Sequence, residues 1–258
     1  MKFRAYLGTV LVLTLLALPT GTPAQQTPDL DPDAMKALNT MGAYLRSLKV
    51  YRVQSVHTLD EVLDDGQVVT FGETADVLVQ SPNRLLADVS SDRKSRMFFY
   101  DGKTFTLYAR RMDYYATAPA PATVRQLVDT LDQRYGIELP LVDLILWGTD
   151  DNAPAQIRSA RDLGPSAIDG TSCRHYAYRQ EGLDWQLWLQ LGPSPLPRKL
   201  ILTTLTDDAR PRYSSVFHWD LAPAFNAEAF TFIPPADAKK IVFAKTGPKT
   251  APSVTGSP

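Results

Sequence analysis

The sequence is short of the residues that form disulfides and metal sites. Its 258 residues include one cysteine, Cys173, and three histidines, His57, His175 and His218. A single cysteine cannot form a disulfide within the chain, so the fold depends on its apolar core. A closed zinc site needs about four ligands at characteristic spacing, and only Cys173 and His175 are close enough in sequence to begin one.

Basic clusters and catalytic motifs are also missing. The 27 Lys and Arg residues are balanced by 28 Asp and Glu residues, which gives a net charge of −1. Nucleic-acid-binding proteins concentrate positive charge on one face, so we expect no nucleic-acid partner. The sequence contains no phosphate-binding glycine loop, no Gly-x-Ser-x-Gly nucleophile elbow and no metalloprotease helix motif. It therefore predicts no cofactor and favours a protein that is not an enzyme.

Only one long apolar run occurs, at the N-terminus. Lys2 and Arg4 precede an apolar stretch over residues 5–18, and Thr22-Pro23-Ala24 offers small residues for cleavage. This layout is typical of a secretory signal peptide, and the run is shorter than the roughly 20 residues of a membrane-spanning helix. We expect export out of the cytoplasm and no transmembrane segment. Because the only cysteine is far from the cleavage point, we also expect no lipid anchor.

These features predict three segments. Residues 1–24 form the signal peptide, residues 25–245 a single domain, and residues 246–258 a disordered tail rich in Pro, Gly, Ser and Thr. Cleavage removes two positive charges and no acid, so the net charge becomes −3.

Two regions have helical periodicity. Asp31-Pro32 supplies an N-cap and a first-turn proline for a helix that ends near Leu48. A second apolar stripe runs from Val124 to Tyr135, and a further segment from Pro140 to Trp147 is apolar nearly all round.

The rest of the chain alternates with the period of strands. The predicted strands are 50–59, 67–80, 84–89, 97–100, 104–110, 155–163, 173–180, 184–191, 198–204 and 213–219. Asp101-Gly102 is a strong hairpin signal. Antiparallel strands interrupted by one helical insertion predict an α+β fold, an open antiparallel β-barrel whose concave face is plugged or lidded by helices.

The helices and one strand supply a candidate hydrophobic cavity. One interpretation is a cavity in which an acyl chain lies between two apolar surfaces, formed by Leu127, Leu131, Leu144, Ile145 and Trp147 on the helices and by Trp185, Leu187 and Leu189 on the strand. The alternative is a filled core made by the same residues. Burial energy does not separate the two, because a buried methylene gains about 0.8 kcal/mol in either case.

Cys173 and His175 are two residues apart on a predicted strand and therefore point to one face. A thiolate and an imidazole are a start for a zinc site, but two further ligands are missing. The same pair lacks the sequence signature of a catalytic dyad. We expect Cys173 to act as a small buried apolar residue.

Several segments together resemble a known family. They are Tyr-Asp-Gly-Lys-Thr-Phe-Thr-Leu-Tyr at 100–108, Tyr-Tyr-Ala at 114–116, Tyr-Gly-Ile-Glu-Leu-Pro-Leu at 135–141, Cys-Arg-His-Tyr at 173–176 and Asp-Trp-Gln-Leu-Trp at 184–188. With them the chain resembles DUF2092, a family of predicted periplasmic proteins. That family is similar in architecture to the LolA and LolB lipoprotein carriers, in which an open barrel lidded by helices holds acyl chains. The resemblance implies a LolA-like fold in the periplasm of a Gram-negative bacterium.

The leading function hypothesis is thus a non-catalytic binding or carrier protein for a lipid or the acyl chains of a lipoprotein. Two alternatives stay open. One is an interaction or sensing module that has a filled core and an envelope protein as partner. The other is a hydrolase whose site is assembled in space from residues distant in sequence.

Overall fold

The computed structural model describes residues 29–137, Leu139 and residues 154–244. Helix α1 spans Pro32–Ser47 and helix α2 spans Val124–Tyr135. The strands are β1 Asp29–Leu30, β2 Val50–Val62, β3 Val68–Gln80, β4 Arg84–Ser91, β5 Ser95–Tyr100, β6 Thr104–Ala109, β7 Tyr114–Pro119, β8 Ser159–Ile168, β9 Thr171–Gln180, β10 Leu183–Gln190, β11 Pro197–Thr204, β12 Arg212–Asp220 and β13 Lys239–Ile241. Short 3₁₀ turns lie at Pro154–Gln156 and Ala227–Phe230.

All the described strands belong to one sheet. Their order is β1-β8-β9-β10-β11-β12-β2-β3-β4-β5-β6-β7-β13. Neighbouring strands are antiparallel except at the two ends, where β1 pairs in parallel with β8 and β13 with β7. Because β1 and β13 are not paired with each other, the sheet is open, which confirms the predicted fold class.

Alternation along the strands defines two faces. In β2, Tyr51 and Val53 are buried whereas Arg52 and Gln54 are exposed. We call the face that bears Tyr51 and Val53 the inner face, and the opposite face the outer face. On the outer face Arg52 forms a bidentate ion pair with Asp76 on β3, with both contacts at 2.6 Å. A period of two in the sequence therefore determines which side of the sheet enters the core.

The two helices lie against the inner face and share one core with it. Asp31 caps α1 by accepting hydrogen bonds from the backbone N–H groups of Asp33 and Ala34, and Thr123 caps α2 in the same way for Gln126. Gly136 ends α2 with a φ of 61°. In the described ranges no helix has the length and apolar character needed to span a bilayer.

The predicted Asp101-Gly102 hairpin joins β5 to β6. The Asp101 carboxylate accepts hydrogen bonds from the backbone N–H groups of Lys103 and Thr104 at 2.8 and 2.7 Å. Gly102 has a φ of +90°, and a Cβ atom there would lie 2.7 Å from the side-chain amide of Asn83. The positive φ favours glycine at this turn, and a Cβ atom would in addition displace the Asn83 side chain.

The strand prediction was wrong at one segment and incomplete at three. The strand predicted at 155–163 begins at Ser159 and continues to Ile168. Gly164-Pro165 has the appearance of a turn, but β8 absorbs it in a register shift between Asp162 and Gly164. Strands β1, β7 and β13 are absent from the predicted set. Of these, β1 and β13 have two and three residues, too few to show a period.

The chain after β12 crosses the outer face and then passes around the sheet edge. Phe232 packs on the outer side against the rings of Phe99, Tyr108 and Tyr115, with centroid distances of 5.0 to 5.4 Å. Strand β13 then pairs with β7 at the edge, and Phe243 reaches the inner core. We call residues 221–244 the C-terminal strap, because they contact both faces of one end of the sheet.

Candidate functional site

Strand β10 contributes an apolar surface to the inner face. Trp185, Leu187 and Leu189 are 5%, 2% and 6% exposed and belong to the main core. Trp188, between them in sequence, points to the outer face and stacks on His175 with a centroid distance of 3.9 Å. The alternation predicted for this strand is therefore present, and the three inner residues form one side of the candidate site.

Helix α1 is attached to this part of the inner face. The Tyr178 hydroxyl on β9 donates a hydrogen bond to the backbone carbonyl of Ala34 at 2.9 Å. The Tyr178 ring stacks on Trp185 with a centroid distance of 4.2 Å. Burial raises the pKa of Tyr178 well above its usual range. Tyr178 thus joins α1 to the β10 surface that was predicted to contact a ligand.

Helix α2 packs nearer the other end of the sheet. Its N-terminus is fixed where the backbone N–H of Val124 donates to the carbonyl of Pro82 at 3.0 Å. Near its C-terminus, Tyr135 packs on Phe243 with a centroid distance of 5.0 Å. Leu127 and Leu131 are each 1% exposed and lie in the same connected core as Trp185, Leu187 and Leu189. The other predicted site residues, Leu144, Ile145 and Trp147, lie outside the described residues.

Cys173 and His175 lie together on the outer face but have separate partners. Cys173 is buried, its Sγ contacts the Thr171 carbonyl at 3.4 Å, and burial raises the pKa of its thiol. The His175 Nε2 lies 3.0 Å from Oε1 of Gln186, and burial lowers the pKa of the imidazole. No group of three or more potential metal ligands occurs in the part of the chain that the structure describes.

A polar group on the inner face was not among the predicted site residues. His57 on β2 lies opposite Glu73 on β3 and Ser215 on β12. The His57 Nε2 is 2.8 Å from the Glu73 carboxylate, and its Nδ1 is 3.5 Å from the Ser55 hydroxyl. Ser55 and His57 are two residues apart on a predicted strand, so the period of two places them on one face. Only the strand order brings Glu73 and Ser215 beside them.

Two members of this polar group, His57 and Glu73, line a small pocket near the turn that joins β2 to β3. The pocket has a volume of about 130 Å³. Its lining includes His57, Glu73 and Tyr213, together with apolar Leu59 and Phe71. The inner face therefore has an apolar interior and, at this end, a border with hydrogen-bonding groups.

Comparison with solved structures gives several distant similarities. Lipoprotein LppX from Mycobacterium tuberculosis is 13% identical, with a TM-score of 0.47 over 76% of this chain and 98% of that chain. An uncharacterized conserved protein from Thermus thermophilus is 11% identical, with a TM-score of 0.44 over 81% and 99%. A LolA superfamily protein from Nitrosomonas europaea is 10% identical, with a TM-score of 0.30 over 77% and 97%. No curated protein sequence matches the chain.

Comparison with protein families gives a match over most of the chain. DUF2092, described as a predicted periplasmic protein, matches residues 34–244. The match begins within α1 and ends after β13, so it takes in both described helices and nearly the whole sheet. This confirms the resemblance noted in the sequence, and the protein belongs to the DUF2092 family of predicted periplasmic proteins.

Proposed function

We propose that the protein is a non-catalytic binder or carrier of a hydrophobic ligand, either a free lipid or the acyl chains of a lipoprotein. It would act in the periplasm after removal of the signal peptide at residues 1–24, without a lipid anchor. A membrane or envelope protein would supply or receive the ligand.

The observation that carries this proposal is the continuous apolar contact between the inner face and the two helices. Leu127 and Leu131 on α2 share one core with Trp185, Leu187 and Leu189 on β10. Contacts between apolar side chains are not directional, so an acyl chain replaces them with little loss of free energy. A helix that rests on such contacts can therefore separate from the sheet and admit a ligand. The segment with Leu144, Ile145 and Trp147 is proposed to extend the same apolar cover.

The first test is to identify what the protein carries. We would purify it from a bacterial periplasm, record native mass spectra, and analyse an organic extract for lipids. A lipid bound at a fixed stoichiometry is the expected result. Protein that is free of lipid and also refuses added phospholipid, fatty acid and lipopeptide would refute the proposal and favour an interaction module with a filled core.

The second test locates the ligand with two tryptophans on one strand. Trp185 faces the inner core, whereas Trp188 faces outward. Bromine atoms on an acyl chain quench the fluorescence of nearby tryptophans only. A brominated fatty acid is therefore expected to quench the fluorescence of Trp185 and not that of Trp188. The quenched fraction should fall in Trp185→Phe and not in Trp188→Phe. Equal quenching in both variants would show that the ligand does not lie beside Trp185 on β10.

A further inference from the structure

Four side chains form a polar corner on an otherwise apolar inner face. Ser55, His57, Glu73 and Ser215 come from three adjacent strands, and the β-register places the last three side by side. Ser55 continues on the same side of β2 as Tyr51 and Val53. The polar corner is thus a continuation of the apolar surface proposed to hold a ligand.

Burial of the polar corner is costly unless its groups are hydrogen-bonded. Ser55 is 2% exposed, His57 is 7% exposed, and Ser215 is fully buried. His57 is paired with Glu73 at 2.8 Å. The Ser215 hydroxyl is buried without a hydrogen-bond partner among the described residues. A hydroxyl in this position gains free energy when a ligand supplies the missing hydrogen bond.

Charges around the adjoining pocket indicate what kind of group would enter it. The lining carries two cations, Arg93 and Lys94, and three acids, Glu61, Glu73 and Asp92. The Arg93 guanidinium is already bound to Glu61 and lies 3.6 Å from the centre of the Phe71 ring. With Arg93 paired to Glu61, Lys94 is the remaining cation and faces two carboxylates, Glu73 and Asp92, so the lining carries one net negative charge that disfavours an anionic group. An uncharged group with hydroxyls or amides would form hydrogen bonds without that repulsion.

We infer that the polar corner and its pocket receive the uncharged, hydrogen-bonding head group of an amphiphile whose acyl chain lies along the apolar inner face. This inference rests on the proposed function and adds a ligand class to it. The apolar inner face supplies the affinity for the acyl chain. The polar corner favours uncharged head groups over anionic ones, because the Glu73 carboxylate accepts hydrogen bonds from hydroxyls or amides and repels anions.

The test compares two ligands that share one acyl chain. Monolauroylglycerol has a neutral diol head, and laurate has a carboxylate. Both would be titrated into the purified protein by calorimetry at neutral pH, below their micelle concentrations. We expect monolauroylglycerol to bind about tenfold more tightly than laurate, because laurate meets like charge at the pocket. Glu73→Gln should narrow this gap by raising the affinity for laurate.

Ser215→Ala tests whether the buried hydroxyl contacts the head. It should weaken monolauroylglycerol binding about fivefold, as expected for one lost hydrogen bond, and leave laurate binding unchanged. It removes an unpaired buried hydroxyl, so the protein should remain folded. Ser214→Ala is the matched control, since Ser214 precedes Ser215 on β12 and points to the other face. Neither ligand should respond to it.

The outcomes separate this inference from the proposal on which it rests. Equal affinity for the two ligands, or equal effects of Ser215→Ala and Ser214→Ala, would overturn the polar corner as a head-group site while leaving acyl binding intact. If neither ligand binds the wild-type protein, the proposed carrier function itself fails. A structural role alone would show as a changed melting temperature for Ser215→Ala without any change in affinity.

Discussion

The two ends of the sheet are covered in different ways. We call β3–β7 the strapped half, because the C-terminal strap lies on its outer side, and β8–β11 the uncovered half, because within the described residues the strap does not pack on its outer side. The uncovered half has α1 bonded to its inner side through Tyr178, and its outer side carries the His175–Trp188 stack. The strapped half has the C-terminal strap on its outer side, where Phe232 packs against three aromatic rings.

This difference shows how one sheet combines a fixed part with a part that can adapt. In the strapped half, the chain contacts both faces, because Phe232 lies outside and Phe243 packs on Phe105 inside. In the uncovered half, the inner side meets a helix, and on the outer side the described residues make contacts between neighbouring strands, such as the His175–Trp188 stack. We therefore expect the strapped half to be the rigid support, and the uncovered half to open when a ligand enters.

The largest expected effect comes from removing buried leucines in each half. Leu187 in the uncovered half and Leu85 in the strapped half are 2% and 1% exposed. Each change to alanine should lower the free energy of unfolding by about 2–5 kcal/mol, because it leaves a cavity. Urea unfolding followed by fluorescence and circular dichroism measures this.

The shape of those unfolding curves tests whether the halves are one cooperative unit. Both leucines belong to one connected core, so each variant should unfold in a single transition that coincides for the two probes. A separate early transition in Leu187→Ala alone would show that the uncovered half unfolds independently. Leu191→Ala serves as control, since Leu191 is exposed and its loss should change stability by no more than about 0.5 kcal/mol.

A smaller effect is expected when the strap loses its aromatic anchor. Phe232→Ala removes ring contacts to Phe99, Tyr108 and Tyr115. Pairs of this kind contribute about 0.5–1.5 kcal/mol each, so the variant should lose about 2 kcal/mol and become sensitive to proteases after β12. Ile233→Ala is the control, because Ile233 is exposed, and it should change neither the stability nor the sensitivity to proteases. If Phe232→Ala resists proteolysis like the wild type, the strap is held by β13 and not by the ring cluster.

Local periodicity predicted the parts of the fold that are defined by one segment at a time. The N-cap at Asp31 and the stripe beginning at Val124 gave both described helices. Alternation located β2 to β6 and β9 to β12 within a few residues, and the predicted burial of Cys173 is confirmed. These features depend on neighbours in sequence, so a pattern in the sequence is enough to find them.

Features that depend on pairing between distant segments were not predicted. His57 meets Glu73 and Ser215 only because β12, β2 and β3 are neighbours in the sheet. The strap depends in the same way on the packing of Phe232 against β5, β6 and β7. Leu127, Leu131 and the β10 residues share one core, and their role as a ligand site stays a proposal.

A weaker interaction joins α1 to the uncovered half, and Tyr178→Phe removes it. The variant keeps the ring on Trp185 but loses the hydrogen bond to Ala34, so it should lose about 1 kcal/mol. Burial raises the pKa of Tyr178, so its contribution is complete below the unfolded-state value of about 10 and declines as the pH rises beyond it. Stability measured from about pH 9 to about pH 11 should therefore fall less steeply in Tyr178→Phe than in the wild type. A parallel fall would mean that other groups dominate alkaline unfolding.

The smallest expected effect concerns His175 on the outer side of the uncovered half. Burial lowers the pKa of His175, so the folded protein binds a proton less readily than the unfolded chain, whose histidine pKa is about 6.5. Stability should be complete above that pH and should decline as the pH falls below it and through the lower folded value. His175→Gln should remove this decline, whereas His218→Gln, at another outer-face histidine, should leave it in place. If the stability of His175→Gln falls with decreasing pH as steeply as that of the wild type, the imidazole is solvated in the folded protein. The outer side of this half would then differ still more from the strapped half, whose outer side is packed by Phe232.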